Sequence, residues 1–205
     1  WITLPDNKPI NAAKSIADSL ASGKSVGVFL GNLAQHHPAA AQLHSLAQLL
    51  AGLLGAKFGF FGEAANSVGG YLAGATPQGG ANAAQMLAQP CKAYLLLGVE
   101  PEFDCHAPSQ AMAAMRQAEF VVALSPFQHG ALDYAQALLP IGPFTETAGT
   151  FVSTEGRVQT FAGIVQPLAE TRPAWKVLRV LGNLLGVAGF DYASSESVLT
   201  EALGS

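Results

Sequence analysis

Charge is scarce in this chain. Only 12% of its 205 residues are Asp, Glu, Lys or Arg, roughly half the ordinary share. Ten basic residues stand singly against fourteen acidic ones, a net charge of −4. With no basic stripe to follow a phosphate backbone, a nucleic-acid partner is not expected. So little charge has two readings. Either the surface is covered inside an assembly, or the sequence is simply rich in Ala, Gly, Gln, Ser and Thr. Cysteine is scarce as well: Cys91 and Cys105 are the two present. They are too few for a disulfide framework or for the four thiolates of an iron–sulfur cluster, and they fit a reduced cytosolic location. Long apolar runs are absent too. Leu46–Phe61 is the most apolar stretch, but Gly52, Gly55, Lys57 and Gly59 break it, short of the roughly 18–20 residues of a spanning helix. Direct membrane insertion is not expected. The opening Trp1-Ile-Thr-Leu-Pro-Asp lacks the charged and apolar regions of a signal peptide. Without an initiating Met, the chain reads as a fragment of something longer.

Familiar catalytic motifs are also missing. Gly23-Lys24-Ser25 mimics the end of a phosphate-binding P-loop, but the earlier glycine is replaced by Asp18. The triplet also precedes a strand instead of joining strand to helix. No G-x-G-x-x-G follows a strand, and no G-x-S-x-G elbow is present. His36, His37, His44 and His106 lack the spacing of a zinc site and read as loop and helix-end histidines. Glu146 and Glu155 could be imagined as paired carboxylates. Glu155, two residues before Arg157, reads better as an ion-pair partner of that arginine or of a neighbouring chain.

What is present is alternation. A helix over residues 11–22 precedes Ser25–Gly31, a short apolar strand. From Pro38 a helix carries Leu43, Leu46, Ala47, Leu50, Leu53 and Leu54 at the spacing of one buried face, and Gly55 is placed to end it. Lys57–Gly62 is a second strand. Gly62–Gly80 reads as a long glycine-rich loop with a short helical turn, followed by a short helix near Ala81–Leu87. Lys92–Gly98 is the clearest buried strand, then come a helix from Pro108 and a strand at Phe120–Ser125. A short helix near Gly130–Gln136 leads to a last core strand at Ala137–Ile141. A final helix from Pro173 places Trp175, Leu178, Leu181 and Leu185 on one face, with Gly186 as its stop. Ser194–Ser205 is either weakly ordered or a short helix. Strands alternating with helices imply parallel β-α-β units. The expected fold is α/β: a Rossmann-like open, mostly parallel sheet with helices on both faces.

Such sheets bind ligands beyond the carboxyl ends of their strands. Those ends are Gly31-Asn32, Gly62-Glu63, Gly98-Val99-Glu100-Pro101 and Ser125-Pro126. Each carries Gly or Pro, as a ligand crevice would and as any β-α turn would. After the last core strand comes Thr145–Gln159, TETAGTFVSTEGRVQ. Alternation predicts two short strands at Thr150–Ser153 and Arg157–Phe161. Thr154-Glu155-Gly156 forms the turn, with Gly156 at positive φ.

The order of strand, G-x-x-P turn, helix, strand, S-P-F, A-L-L-P and then F-T-E-T-A-G-T-F-V-S-T-E-G-R-V-Q resembles the C-terminal part of the molybdopterin oxidoreductase domain. More closely, it resembles that domain in the large iron–sulfur subunit (the G subunit) of bacterial NADH-quinone oxidoreductase, respiratory complex I. Glu63-Ala-Ala-Asn66-Ser-Val-Gly69 and Glu170-Thr-Arg-Pro-Ala-Trp-Lys176 are similar to that branch, and the likeness covers most of residues 14–186. The departures lie at polar positions. Where catalytic members show G-x-N-P, this chain has Gly98-Val99-Glu100-Pro101, a carboxylate facing a place for phosphate. Their D-P-F is Ser125-Pro126-Phe127 here, and the T-E-T-A after it is Gln128-His129-Gly130-Ala131. Their A-D-V-V-L-P is Ala135–Pro140, with Gln136 for Asp.

The resemblance implies a Rossmann-like domain over 1–142. A hairpin segment, 143–165, would pack on it, and a C-terminal helix and tail, 166–205, would follow. It implies a structural part of a subunit that carries electrons from NADH to quinone. No catalytic, cofactor-binding or metal-ligating residues are expected in this chain. Iron–sulfur clusters would lie in a missing N-terminal part. The expected partners are that part and other subunits of the peripheral arm, at the cytoplasmic face of the inner membrane. Glu146, Glu155 and Arg157 would hold lobes together. The alternatives are a fragment of a catalytic, formate dehydrogenase-like molybdopterin enzyme and a free-standing nucleotide-binding module.

Overall fold

A computed structural model describes residues 11–128 and 130–204. The reading of Trp1–Asp6 therefore lies outside the described residues. The chain divides into two compact units. One takes the residues up to Val68 together with Val152–Arg157, and the other takes Gly69–Phe151 and the residues from Val158 on.

In the first unit, helix α1 (Asn11–Ser22) leads to strand β1 (Gly27–Leu30). A one-turn helix α2 (Asn32–Gln35) follows, then α3 (Ala40–Leu54) and strand β2 (Lys57–Phe60). β1 and β2 pair in parallel, Gly27 opposite Lys57 through Leu30 opposite Phe60. Gly55 ends α3 in the left-handed region at φ 60°, where a side chain would be strained. The apolar face of α3 is only partly buried. Ala47 and Ala51 are covered, while Leu46, Leu50 and Leu53 of the expected stripe are exposed. The periodicity placed the leucines on one side, but that side is wider than the two-stranded sheet can cover.

The second unit begins with α4 (Ser67–Leu72), whose first two residues count with the first unit. α5 (Ala83–Ala88) starts at a capping box in which Asn82 and Gln85 each accept the other's backbone N–H, satisfying two orphan donors. Then come β3 (Ala93–Leu97), the short α6 (Pro101–Asp104), α7 (Pro108–Gln117) and β4 (Phe120–Ser125). A 3₁₀ turn (Gly130–Asp133) leads to β5 (Ala137–Pro140). These three strands form a parallel sheet in the order β3-β4-β5. The main core cluster lies on one face of it, and on the other face Leu124 alone of β4 is fully buried. Ala114 and Met115 of α7, Val121 and Ala123 of β4, and Ala131 and Tyr134 are buried together, flanked by Leu87, Tyr94, Leu96 and Leu138. On the other face Leu95, Leu97 and Leu139 stay exposed, although parallel sheets ordinarily have both faces covered.

The α/β class and the parallel pairing are as expected. The five parallel strands, however, pair as two separate sheets among the described residues and not as one. β3, read as the clearest buried strand, is an edge, and β4 is the buried centre.

β6 (Gly149–Val152) and β7 (Val158–Phe161) form the hairpin. Gly156 has φ 82° with open space around it, so the turn demands glycine for its backbone alone. α8 (Ala174–Leu184) starts after Pro173, and α9 (Ser195–Leu203) is capped by Ser194, so the tail is helical. Gly182 lies so close to Phe190 that an added Cβ would collide with its ring.

Candidate functional site

Because ligands of parallel sheets gather beyond the strands' carboxyl ends, those ends are where a site belongs. In the first unit, the loops after β1 and β2 are laced together by their own polar groups. Gln35 donates to the carbonyl of Phe61 at 2.5 Å. His36 Nε2 lies 2.7 Å from Glu63 Oε2, both largely in solvent. Ser67 Oγ donates to the carbonyl of Ala64. Asn66 Oδ1 accepts the backbone N–H of Val152 at 2.8 Å. Val152 is buried, so without Asn66 its amide would lose its partner in a place water does not reach. The Glu63–Gly69 segment thus engages its three polar residues, Glu63, Asn66 and Ser67, in contacts within the chain.

In the second unit, the loops after β3 and β4 lie side by side. Pro101 is buried at the start of α6, and Asp104 accepts the backbone N–H of Glu100 at 2.7 Å. Tyr134 donates its hydroxyl to Glu102 Oε2 at 3.2 Å. The same carboxylate covers Gly130, where a Cβ would meet Oε1 at 2.6 Å. The hydroxyl of Ser125 accepts the N–H of Phe127 at 3.1 Å, so serine keeps an acceptor there but carries no charge. Gln136, read from the sequence as a changed ligand position, accepts the N–H of Val121 at 2.6 Å through its side chain. In return, the backbone N–H of Gln136 donates to the carbonyl of Val121 at the start of β4, which is a structural role.

The charges on the loops after β3 and β4 are acidic, and Arg172, beside the end of β5, is paired with Glu170. Burial pushes the Tyr134 hydroxyl well above the ordinary tyrosine range, and Glu102 adds to it by charge and hydrogen bond, with Glu100 and Asp133 behind it. Burial, then the charges of Asp104 and Glu102, raise the Cys105 thiol, which disfavours the nucleophilic thiolate. The segments Gly98–Ala107 and Ser125–Gln136 contain Glu100, Glu102, Asp104 and Asp133 and no Lys or Arg.

The remaining candidates are dispersed. The Ala39 amide donates to His37 Nδ1, and His44 meets the ring of Phe58 edge-on at 5.0 Å. No group of three His, Cys, Asp or Glu is gathered for a metal among the described residues. Gly23-Lys24-Ser25 forms the turn between α1 and β1. Glu146 Oε2 accepts from the amide of Leu168 at 3.2 Å and lies 3.4 Å from the hydroxyl of Thr171, pinning the loop before α8. Glu155 and Arg157 make no ion pair among the described residues. The turn is held by Ser153, whose backbone N–H and hydroxyl both engage Arg157's backbone. Sequence reasoning passed over the Glu102–Tyr134 pair and the Asn66–Val152 bond. The first joins residues 32 apart and the second residues 86 apart, and neither leaves a local pattern.

The family model for molybdopterin oxidoreductases matches residues 6–184, and the chain belongs to that family. Among curated relatives, "Probable oxidoreductase YjgC" of Bacillus subtilis is 33% identical over 90 residues, 44% of this chain and 9% of the relative. "Putative formate dehydrogenase SH0748" of Staphylococcus haemolyticus is 29% identical over 92 residues, 45% of this chain and 9% of the relative. A Staphylococcus aureus protein with the same descriptive name is 32% identical over 89 residues, 43% of this chain and again 9% of the relative. The matched stretch is therefore about a tenth of each relative's length. The strand-end loops of the second unit do not fit the phosphate-bearing pterin that the family name implies. Ionised carboxylates repel phosphate and cannot donate hydrogen bonds to it. No helix among the described residues is long and apolar enough to cross a membrane.

Proposed function

We propose that this chain is a non-catalytic scaffold within a redox subunit of its family. In detail, it belongs to the large iron–sulfur subunit of an NADH-quinone oxidoreductase, on the route of electrons from NADH to quinone. On this reading the clusters sit elsewhere in a longer polypeptide. The scaffold packs against that part and neighbouring subunits, peripheral to the cytoplasmic face of the membrane. One observation carries the reading: the carboxyl ends of β3 and β4 bear carboxylates, and Glu102, Asp104, Ser125 and Gln136 are engaged by the chain's own groups. The Glu63 and Trp175 segments support the particular branch.

A second reading is a piece of a catalytic, formate dehydrogenase-like enzyme. The names of the staphylococcal relatives favour it. Calorimetric titration of the 205-residue chain with molybdopterin guanine dinucleotide separates the two. The scaffold reading expects no binding heat at millimolar ligand. An affinity of micromolar or better overturns it in favour of the enzyme.

A further inference from the structure

The strand-end loops that repel a phosphate have a surface suited to something else. Phe103 on α6 is 79% exposed and Phe127 after β4 is 65% exposed, with Val99 and Leu132 also open to solvent. Single exposed apolar residues are ordinary; here four sit on two loops that the Tyr134–Glu102 bond joins. Aromatic anchors are the residues that dominate binding energy at protein interfaces. Glu100, Glu102, Asp104 and Asp133 share these loops, with no Lys or Arg among them. Both loops also have anchored points. Pro101 and Ala131 are buried, and the Tyr134–Glu102 bond ties one loop to the other, so binding would require little further ordering.

We propose that the carboxyl end of β3 and β4 is a docking surface for a protein segment that presents apolar side chains flanked by Arg or Lys. Charge complementarity selects that occupant. A second copy of this chain would bring four like charges against four, in a molecule of net charge −4, which opposes self-association. The proposal rests on the reading that these loops hold no cofactor, and it names the kind of partner that a scaffold would engage there.

The test is fluorescence anisotropy with a labelled helical peptide carrying Leu on one face and Arg on the other. Its counterpart with Glu for Arg is the control. The 205-residue chain should bind the Arg peptide and not the Glu peptide. Phe103→Ser with Phe127→Ser should weaken binding about tenfold or more. Glu100→Lys with Asp133→Lys, which keeps the aromatic residues, should do the same. Glu119→Gln, exposed at the opposite, amino end of the same sheet, should leave affinity within about twofold, as a surface change away from the contact does. Circular dichroism confirms that each variant is folded. Each of these results overturns the proposal: equal binding by the double Phe variant, equal loss in Glu119→Gln, or a dimer in sedimentation that Phe103→Ser dissolves. Displacement of the peptide by molybdopterin guanine dinucleotide would instead sink the scaffold reading. No binding of either ligand leaves that reading standing and removes the docking surface.

Discussion

The two units use the same recipe, parallel strands with a helix between them, and arrive at different results. In the second unit, β4 has a neighbour on each side, and α7 packs Ala114 and Met115 onto Val121 and Ala123. In the first, β1 and β2 are both edges. The buried apolar residues described there are Ala47, Ala51 and Val152. Leu46, Leu49 and Leu53 of α3 stay in solvent. A central strand, more than hydrophobic content, separates a self-sufficient core from a surface that still has apolar area to cover. Two-stranded pieces bury too little to stand alone, and a parallel sheet with an open face is out of its usual setting.

The largest expected effect tests this contrast directly. Leu124→Ala, in the buried centre of β4, should lose about 2–5 kcal/mol in denaturant unfolding. Leu53→Ala, on the open side of α3, should stay within about 0.5 kcal/mol. Equal losses would abolish the distinction. Next, Asn66→Ala should cost about 1–3 kcal/mol, because the Val152 amide is left buried without its acceptor. A silent Asn66→Ala would mean that the hairpin tip takes nothing from the first unit's loop. Gly156→Val should cost about 1–2 kcal/mol, since its φ of 82° disfavours a side chain although space is open. The smallest effect is confined to alkaline solution. The hydroxyl of Tyr134 is held above its ordinary value by burial and Glu102. The unfolded chain therefore ionises first, near pH 10. The stabilisation is complete below that pH and lost as pH rises through the folded value. Tyr134→Phe should flatten that decline, and an unchanged alkaline slope would contradict the placement.

Local features were legible in the sequence because their causes are local. β4 starts and ends where its apolar run does. Gly55 and Gly156 have the positive φ that their places in the pattern demand, and Pro108 opens α7. The one-turn helices α2 and α6 are too short to show a period. Which strand is central was not legible: Ala93–Leu97 is as apolar as β4, yet it pairs on one side only. Nor does a leucine stripe reveal whether anything covers it, as Leu46 and Leu53 show. At the candidate site, the sequence exposed the unsuitable Glu100 at once. The uses of Gln136, Asn66 and Glu102 depend on partners distant along the chain, so only the folded arrangement reveals that they are structural.

Hydrogen exchange of the 205-residue chain, with and without molybdopterin guanine dinucleotide, tests the account most directly. The amides of β4 should exchange slowest, about tenfold or more behind those of β1 and β2, as protection follows local burial. The ligand should add no protection at residues 98–107 or 125–136. Slowed exchange in those two loops on adding the dinucleotide would contradict the proposal that these strand ends hold no cofactor.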